Sequence, residues 1–482
     1  VAVEKPSAEY LKFSDKWQRC RDVDCGQDAM HAAGVRYVPM LKEQYQADYA
    51  AYVLRGTFFN ATARTVSGLV GMLFRQPPKV DVPAGINDYL NDVTMSGKSM
   101  DKLAEEMAKE EILIGRSGLL VDYPIVDVAT MTQADAEALN LRPTMQLYKA
   151  ESILDARWGR VNNATVLTMA RLKELASVPG NNEFEEKMED RFRVLDLAEG
   201  KYRVRIFKVD SATGQDVLLE EFTPLMNGEP MDYIPFDVEP DIEEPPLLDL
   251  VNTNVSHYRT TVDYEHGCHW TGLSQPWVAG WTPDNPGDKL YFGGGNVWSF
   301  RDPGSVPGIL SLDHDFVALA ANLTRKEQQM AVLGARMLEA QKKAVETAET
   351  TSIHRKGEES LLSATALEIS TRIERALGWF ADWAGASGKV TYQINRDFYP
   401  RGMTAPEILA RVQSWQQGAP GFSDQSLLEQ LQRGDVVSAD LTLEEEQARI
   451  ATQAPRLQGQ PVGPDGKPIT PAPLNAPTKQ PA

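Results

Sequence analysis

FVALAANLTRKEQQMAVLGARMLEAQKKAVETAETTSIHRKGEESLLSATALEISTRIERALGWFADWA, residues 316–384, carries two runs of apolar side chains at three- and four-residue steps. In the first, 316–340, the stripe is Phe316, Leu319, Leu323, Met330, Leu333 and Met337, broken at Glu327. In the second, 358–384, it is Leu362, Thr365, Ile369, Ile373, Leu377, Phe380 and Trp383. Both fit a 3.6-residue period and predict two long amphipathic helices, each with one buried side. Between them, 341–357 is rich in charge and hydroxyl groups, holds a glycine, and has no apolar side of its own. Helix–helix links usually take two to about eight residues. This one is roughly twice that, so it is expected to reach out and touch something, with a solvated connection as the plain alternative. Its charges are mixed, Lys342, Lys343, Arg355 and Lys356 against Glu346 and Glu349, with His354 among them. Mixed signs permit weak, rapidly exchanged contacts with a polyanion, where a uniformly basic loop would hold it.

Upstream of this pair, a helix is expected from Pro246 to about Cys268, with Leu247, Val251, Val255, Tyr258 and Val262 on one face and proline in the first turn. Residues 271–312 are dense in Gly, Pro and Trp and read as a small strand-and-turn module. Residues 1–120 read as mainly helical. A helix opens at 25–30, a long partly apolar stretch covers 45–74 until Pro77 and Pro78, and a further helix at 102–114 turns into a strand at 119–121. From about 145 to 240 the period shifts towards two. MQLYKAESILDARW, TVLTMARLKEL, RFRVLDL, KYRVRIFKV and DVLLEEF predict an antiparallel sheet. Downstream, a strand is expected at 390–394 and helices at 404–417, 423–433 and 442–452. Thr404 with Glu407 and Thr442 with Glu445 are spaced as capping boxes. After Gln453 the chain is Pro, Gly and Gln with few apolar residues, and 453–482 reads as disordered.

The 482 residues suffice for a sizeable core in two or three regions. The net charge of −19, from 68 acidic and 49 basic side chains, argues against gripping a phosphate backbone, which needs clustered Lys and Arg. It is compatible with letting DNA pass unheld. Three cysteines, Cys20, Cys25 and Cys268, do not make a disulfide framework, and a reducing interior is the simplest reading. VAVEKPSAEYLKF has no apolar signal region, and no run nears the ~20 apolar residues that span a bilayer. A soluble protein is expected.

Chemistry-bearing patterns are few. SGKS at 96–99 lacks the phosphate-loop glycine five residues before Gly97, where Asp92 stands, and reads as a surface turn. His257, His266, Cys268 and His269 could ligate metal. All four fall within one expected helix and its end, however, whereas zinc ligands converge from separate elements. The glycines 293–295 lack the strand–loop–helix setting of a dinucleotide site. No catalytic set, metal site or cofactor is expected, and the chain reads as no enzyme.

Several stretches, in order, resemble the portal proteins of tailed bacteriophages. They are RYVPML (36–41) with RGTFFNATARTVSGLVGMLFRQPP (55–78), GRSGLLVDYP (115–124), YIPFDVEP (233–240), PPLLDLVNTNVSHYRTTVDYEHG (245–267), LGARMLEA (333–340), INRDFYPRGMTAPEILA (394–410) and EEEQARI (444–450). The resemblance covers about 10–452 and implies an α+β portal fold. Residues 1–245 would be a mixed α/β wing, 246–270 and 316–340 the two stem helices, and 271–315 a small β-containing clip. Residues 341–357 would be a tunnel loop facing the channel, 358–401 a wing helix and strand, and 402–452 a helical crown, followed by the disordered tail. It further implies a ring of about twelve copies at one capsid vertex of the virion, assembled in the host cytoplasm. Double-stranded DNA would pass through it without sequence-specific binding. The partners would be the terminase large subunit, head-completion or adaptor proteins, and major capsid and scaffolding proteins. In the loop, Lys342, Lys343, Glu346, Glu349, His354, Arg355 and Lys356 would face DNA. In the clip, Trp277, Trp281, Tyr291 and Trp298 would meet the motor or adaptor. The alternatives are another oligomeric head–tail adaptor or a minor capsid protein, and, from a different class, a metal-dependent hydrolase using His257, His266 and His269.

Overall fold

The computed structural model describes residues 2–124, 139–272, 275–280, 300, 304–310, 315–335, 348–396, 405–416, 423–433, 436–438 and 441–452, apart from single positions 162, 181, 183, 211, 227 and 387. The expected disordered tail, 453–482, lies outside them. The chain is α+β and divides into two compact units, Val1–Phe398 and Tyr399–Ala482.

The first unit opens with α1 (Ala8–Cys25), started by Ser7, whose hydroxyl accepts the Tyr10 N–H at 3.1 Å. Trp17, Cys20 and Val23 form its buried stripe, with the Tyr10 ring edge-on to Trp17 at 5.1 Å. Helix α2 (Gln27–Ala33) follows, then a 3-10 turn at Gly34–Arg36. The stretch 45–74 is two helices, α3 (Gln46–Arg55) and α4 (Ala61–Leu73). The break falls at GTFFN, and Asn60 restarts the helix by accepting the Ala63 N–H at 2.9 Å. After β1 (Lys79–Asp81) and the short α5 (Ala84–Asn87), Ser99 caps α6 (Met100–Leu113), which is buried along Leu103, Met107 and Leu113.

The strand expected at 119–121 is β2 (Ser117–Asp122), the centre of a three-stranded sheet between β3 (Thr144–Lys149) and β11 (Phe236–Val238). MQLYKAESILDARW, which reads as one run, is cut by a 3-10 turn at Ala150–Ser152. Its second half, β4 (Ile153–Val161), enters a different sheet, the antiparallel meander β4–β5–β6–β7–β8. The other strands there are β5 (Ala164–Pro179), β6 (Glu186–Ala198), β7 (Lys201–Val209) and β8 (Asp216–Phe222). Leu154, Phe192 and Val194 pack with Val3 beneath it. The minor pair β9 (Leu225–Met226) and β10 (Glu229–Pro230) precedes β11.

Helix α7 (Leu248–Gly272) packs on α1, α3 and α4. A two-stranded ribbon of β12 (Gln275–Ala279) and β13 (Val306–Leu310) leads to α8 (Val317–Met330). The helix expected over 316–340 is interrupted at Gly334. Residues 331–335 form a wider π turn in which Gly334 takes φ +131°, a conformation L side chains rarely adopt, and 336–347 lie outside the described residues. Helix α9 (Ala348–Trp383) begins ten residues before the expected start, so 348–357 is helical where a loop is expected. That segment holds no proline and only Gly357 as a breaker, too little to stop a helix already running from the well-packed second half. There Leu362, Ile369, Ile373, Leu377, Phe380 and Trp383 are buried, as their spacing requires. Strand β14 (Thr391–Gln393) pairs antiparallel with β1.

The second unit consists, among the described residues, of α10 (Ala405–Gln416), α11 (Asp424–Arg433) and α12 (Leu443–Thr452), with Leu428 and Leu441 buried. The Thr442–Glu445 capping box forms. Thr442 N–H donates to Glu445 at 3.1 Å, and Glu445 N–H donates to the Thr442 hydroxyl at 3.3 Å. Thr404 of the other expected box lies outside the described residues.

Candidate functional site

The central feature is the pair α7–α8. At one end the rings of Tyr264 and Phe316 meet edge-on at 6.5 Å. At the other, Lys326 Nζ donates to Ser256 O at 2.8 Å and Thr260 Oγ1 at 2.6 Å. Residue numbers rise along one helix as they fall along the other, so the two run antiparallel. His257 is buried between them, its Nε2 3.4 Å from Glu327 Oε1 and its ring beside Phe59. Loss of hydration on burial lowers the pKa of His257, and Glu327 opposes that only in part. The same cause lowers Lys326, helped by Arg325 and Arg259 nearby. The polar residue that breaks the apolar stripe, Glu327, is thus the one facing a buried histidine. Only α8's inner side is covered: Val317 is 62% exposed, and Val332, in the π turn that follows, 72%.

The ribbon β12–β13 stands at the joint of this pair. Trp277, on β12, is 47% exposed. Trp281, Tyr291 and Trp298 lie outside the described residues, as do Lys342, Lys343 and Glu346. Glu349, His354, Arg355 and Lys356 fall within the first turns of α9 instead of a loop.

The histidines do not converge. His266 accepts from Trp270 Nε1 at 2.8 Å and sits under Tyr52, His269 lies against the Trp270 ring, and His257 is with Glu327. Around SGKS, Asp92 Oδ1 accepts the Gly97 N–H at 2.9 Å and Ser99 starts α6, a turn-and-cap arrangement.

Sequence reading missed a buried ion network under α9. Arg372 Nε donates to Asp237 Oδ2 at 2.6 Å, Nη1 to Glu111 Oε1 at 2.5 Å, and Nη2 to Ser117 O at 2.9 Å. Arg375 also pairs with Asp237. Glu111, Glu239 and Glu368 bring oxygens within 4.8 Å of one another. The Arg372 guanidinium already supplies the positive charge there, so the cluster joins α6, β11 and α9 as a structural clamp. Burial, the hydrogen bond with Glu368 and the charge of Glu111 raise Glu239 to about 9. The signal was RIER (372–375), two arginines on a helix whose other side is apolar.

A family model described as "Domain of unknown function (DUF4055)" matches residues 246–384, less than a third of the chain, running from the start of α7 to the end of α9. No curated protein matches the sequence. Among solved structures, the chain is similar to one from "Neck of empty GTA particle computed with C6 symmetry", at 12% identity and TM-score 0.35, over 86% of this chain and 99% of that one.

Proposed function

We propose that this chain is the repeating subunit of a portal ring, the head-to-tail connector at one vertex of a phage-like capsid. The observation that carries this is the antiparallel pair α7–α8 with a β ribbon at its joint, one of whose helices is covered on a single side only. An α-helix so exposed, with Val317 and, in the turn after it, Val332 in solvent, is completed by packing against further copies. In a ring of about twelve, such pairs would wall a channel. Each copy contributes −19, and the charges within ~8 Å of the passing duplex set its friction. A wall short of clustered Lys and Arg lets a polyanion slide. On this reading the subunit hydrolyses no ATP. An external terminase drives packaging, head-completion proteins follow it on the ribbon end, and capsid and scaffolding proteins surround the ring.

Negative-stain imaging with native mass spectrometry of the purified protein tests this. Closed rings of about twelve copies are the expected result. Smaller rings would point to an adaptor instead, and a strictly monomeric chain at every concentration would refute the assignment.

A further inference from the structure

The hairpin joining β5 to β6 and a recess beside α1 are complementary in chemistry. Beyond Leu172, β5 has left β4, and before Phe192, β6 has not met β7. Residues 173–179 and 186–191 therefore pair only with each other. At ~3.4 Å per residue they carry a two-stranded arm roughly 20 Å past the sheet. At its tip, Gly180 N–H donates to Glu185 O at 2.7 Å, and Phe184 N–H to Asn182 Oδ1 at 3.0 Å. A Cβ at position 180 would stand 2.3 Å from Glu185 O, so the turn requires glycine. It holds Phe184 out with 90% of its surface exposed, flanked by exposed Glu185 and Glu186.

The recess, about 470 Å³, opens between α1, the 3-10 turn and α7, and is lined by Asp15, Arg19, Arg36, Tyr37, Asn252 and Arg259 among others. Each guanidinium is steadied from within: Arg19 Nη1 donates to Asn252 at 2.6 Å, Arg36 Nη1 to Asp22 at 3.1 Å, and Arg259 Nε to the Tyr37 carbonyl. A guanidinium has five N–H donors, so most remain for an outside acceptor. Three such groups around one recess are unusual on a chain of net charge −19.

We propose that the recess receives the hairpin tip of a second copy, the Phe184 ring entering beside Tyr37 while Glu185 and Glu186 pair with Arg36 and Arg259. The contact rests on the ring reading and names one of its joints. Copies that are each strongly acidic repel, and carboxylates set on guanidiniums offset this where the subunits meet. An aromatic anchor among arginines is the usual composition of an energetic centre in an interface. Tip and recess are different surfaces, so the contact is head-to-tail and can close into a ring.

The test co-expresses two variants of the full chain, both carrying Cys25→Ser and Cys268→Ser, with Cys20 left buried. One carries Glu185→Cys and the other Gln18→Cys, a position lining the recess. Mild oxidation is expected to give disulfide-linked pairs. Arg259→Glu in the recess copy should cut their yield about tenfold, and adding Glu186→Lys to the tip copy should restore about half of it. Rings that assemble yet never cross-link would overturn the contact and leave the ring standing. Single copies at every concentration would overturn both. A double-stranded DNA fragment that binds the parent chain, is lost on Arg259→Glu and leaves no cross-link would assign the recess to phosphate and defeat the proposal.

Discussion

Arg372 is enclosed by Glu111, Asp237 and the Ser117 carbonyl, and so joins α9 to both α6 and β11. Removing one partner of a buried ion cluster strands the others in low dielectric. Arg372→Ala should therefore cost about 3–5 kcal/mol of unfolding free energy, read by urea denaturation. A change within 1 kcal/mol would show the carboxylates to be solvated or protonated. Glu239 beside it gives a pH signature. Its folded pKa, about 9, lies above the ordinary value of 4.5, so the folded state binds a proton that the unfolded state releases. The stabilisation is complete below about pH 4.5 and is lost as pH rises towards 9. Melting temperatures measured from pH 5 to 9 should fall for the parent chain and flatten in Glu239→Gln; equal slopes would remove Glu239 as the cause.

At the scale of elements, the π turn at 331–335 bends the chain out of α8 through Gly334. Among the described residues a Cβ there would meet only Thr65 Cγ2, at 3.5 Å, so the obstacle is the backbone conformation. Gly334→Ala should cost about 1–3 kcal/mol, measured by thermal melting. A neutral result would mean that α8 can run straight on. This bend also shows where sequence reading stopped. Periodicity continues through Leu333 and Met337, and one glycine inside an apolar pattern costs a helix only about 1 kcal/mol, so the break left no clear mark. Where apolar spacing met a real core, as from Leu362 to Trp383, the expected and observed helices coincide. Polar partners across the fold, Arg372 with Asp237 or His257 with Glu327, lie tens or hundreds of residues apart and have no local period to betray them. The arginines of the recess come from α1, the 3-10 turn and α7, so only the folded chain gathers them.

For the whole molecule, the portal reading predicts that 344–356 serves the passage of DNA and not assembly. Deleting 344–356 should leave rings that form normally by negative stain but that fail to package or retain a genome in particles. Normal retention by such a mutant would contradict a channel-facing role for this segment. Since 348–356 is helical, the deletion shortens α9 by more than two turns while sparing its buried half from Leu362 onward.

The pairing of β1 with β14 sets Lys79 opposite Gln393. A nascent chain cannot close that ladder until nearly the whole first unit, which ends at Phe398, has left the ribosome. At roughly 5–20 residues per second that is a wait of tens of seconds, while α1, α2, α4 and α6 can already pack on one another. The two ends of the first unit are therefore joined last, and a chain stopped before Thr391 would leave β1 without the strand it pairs with.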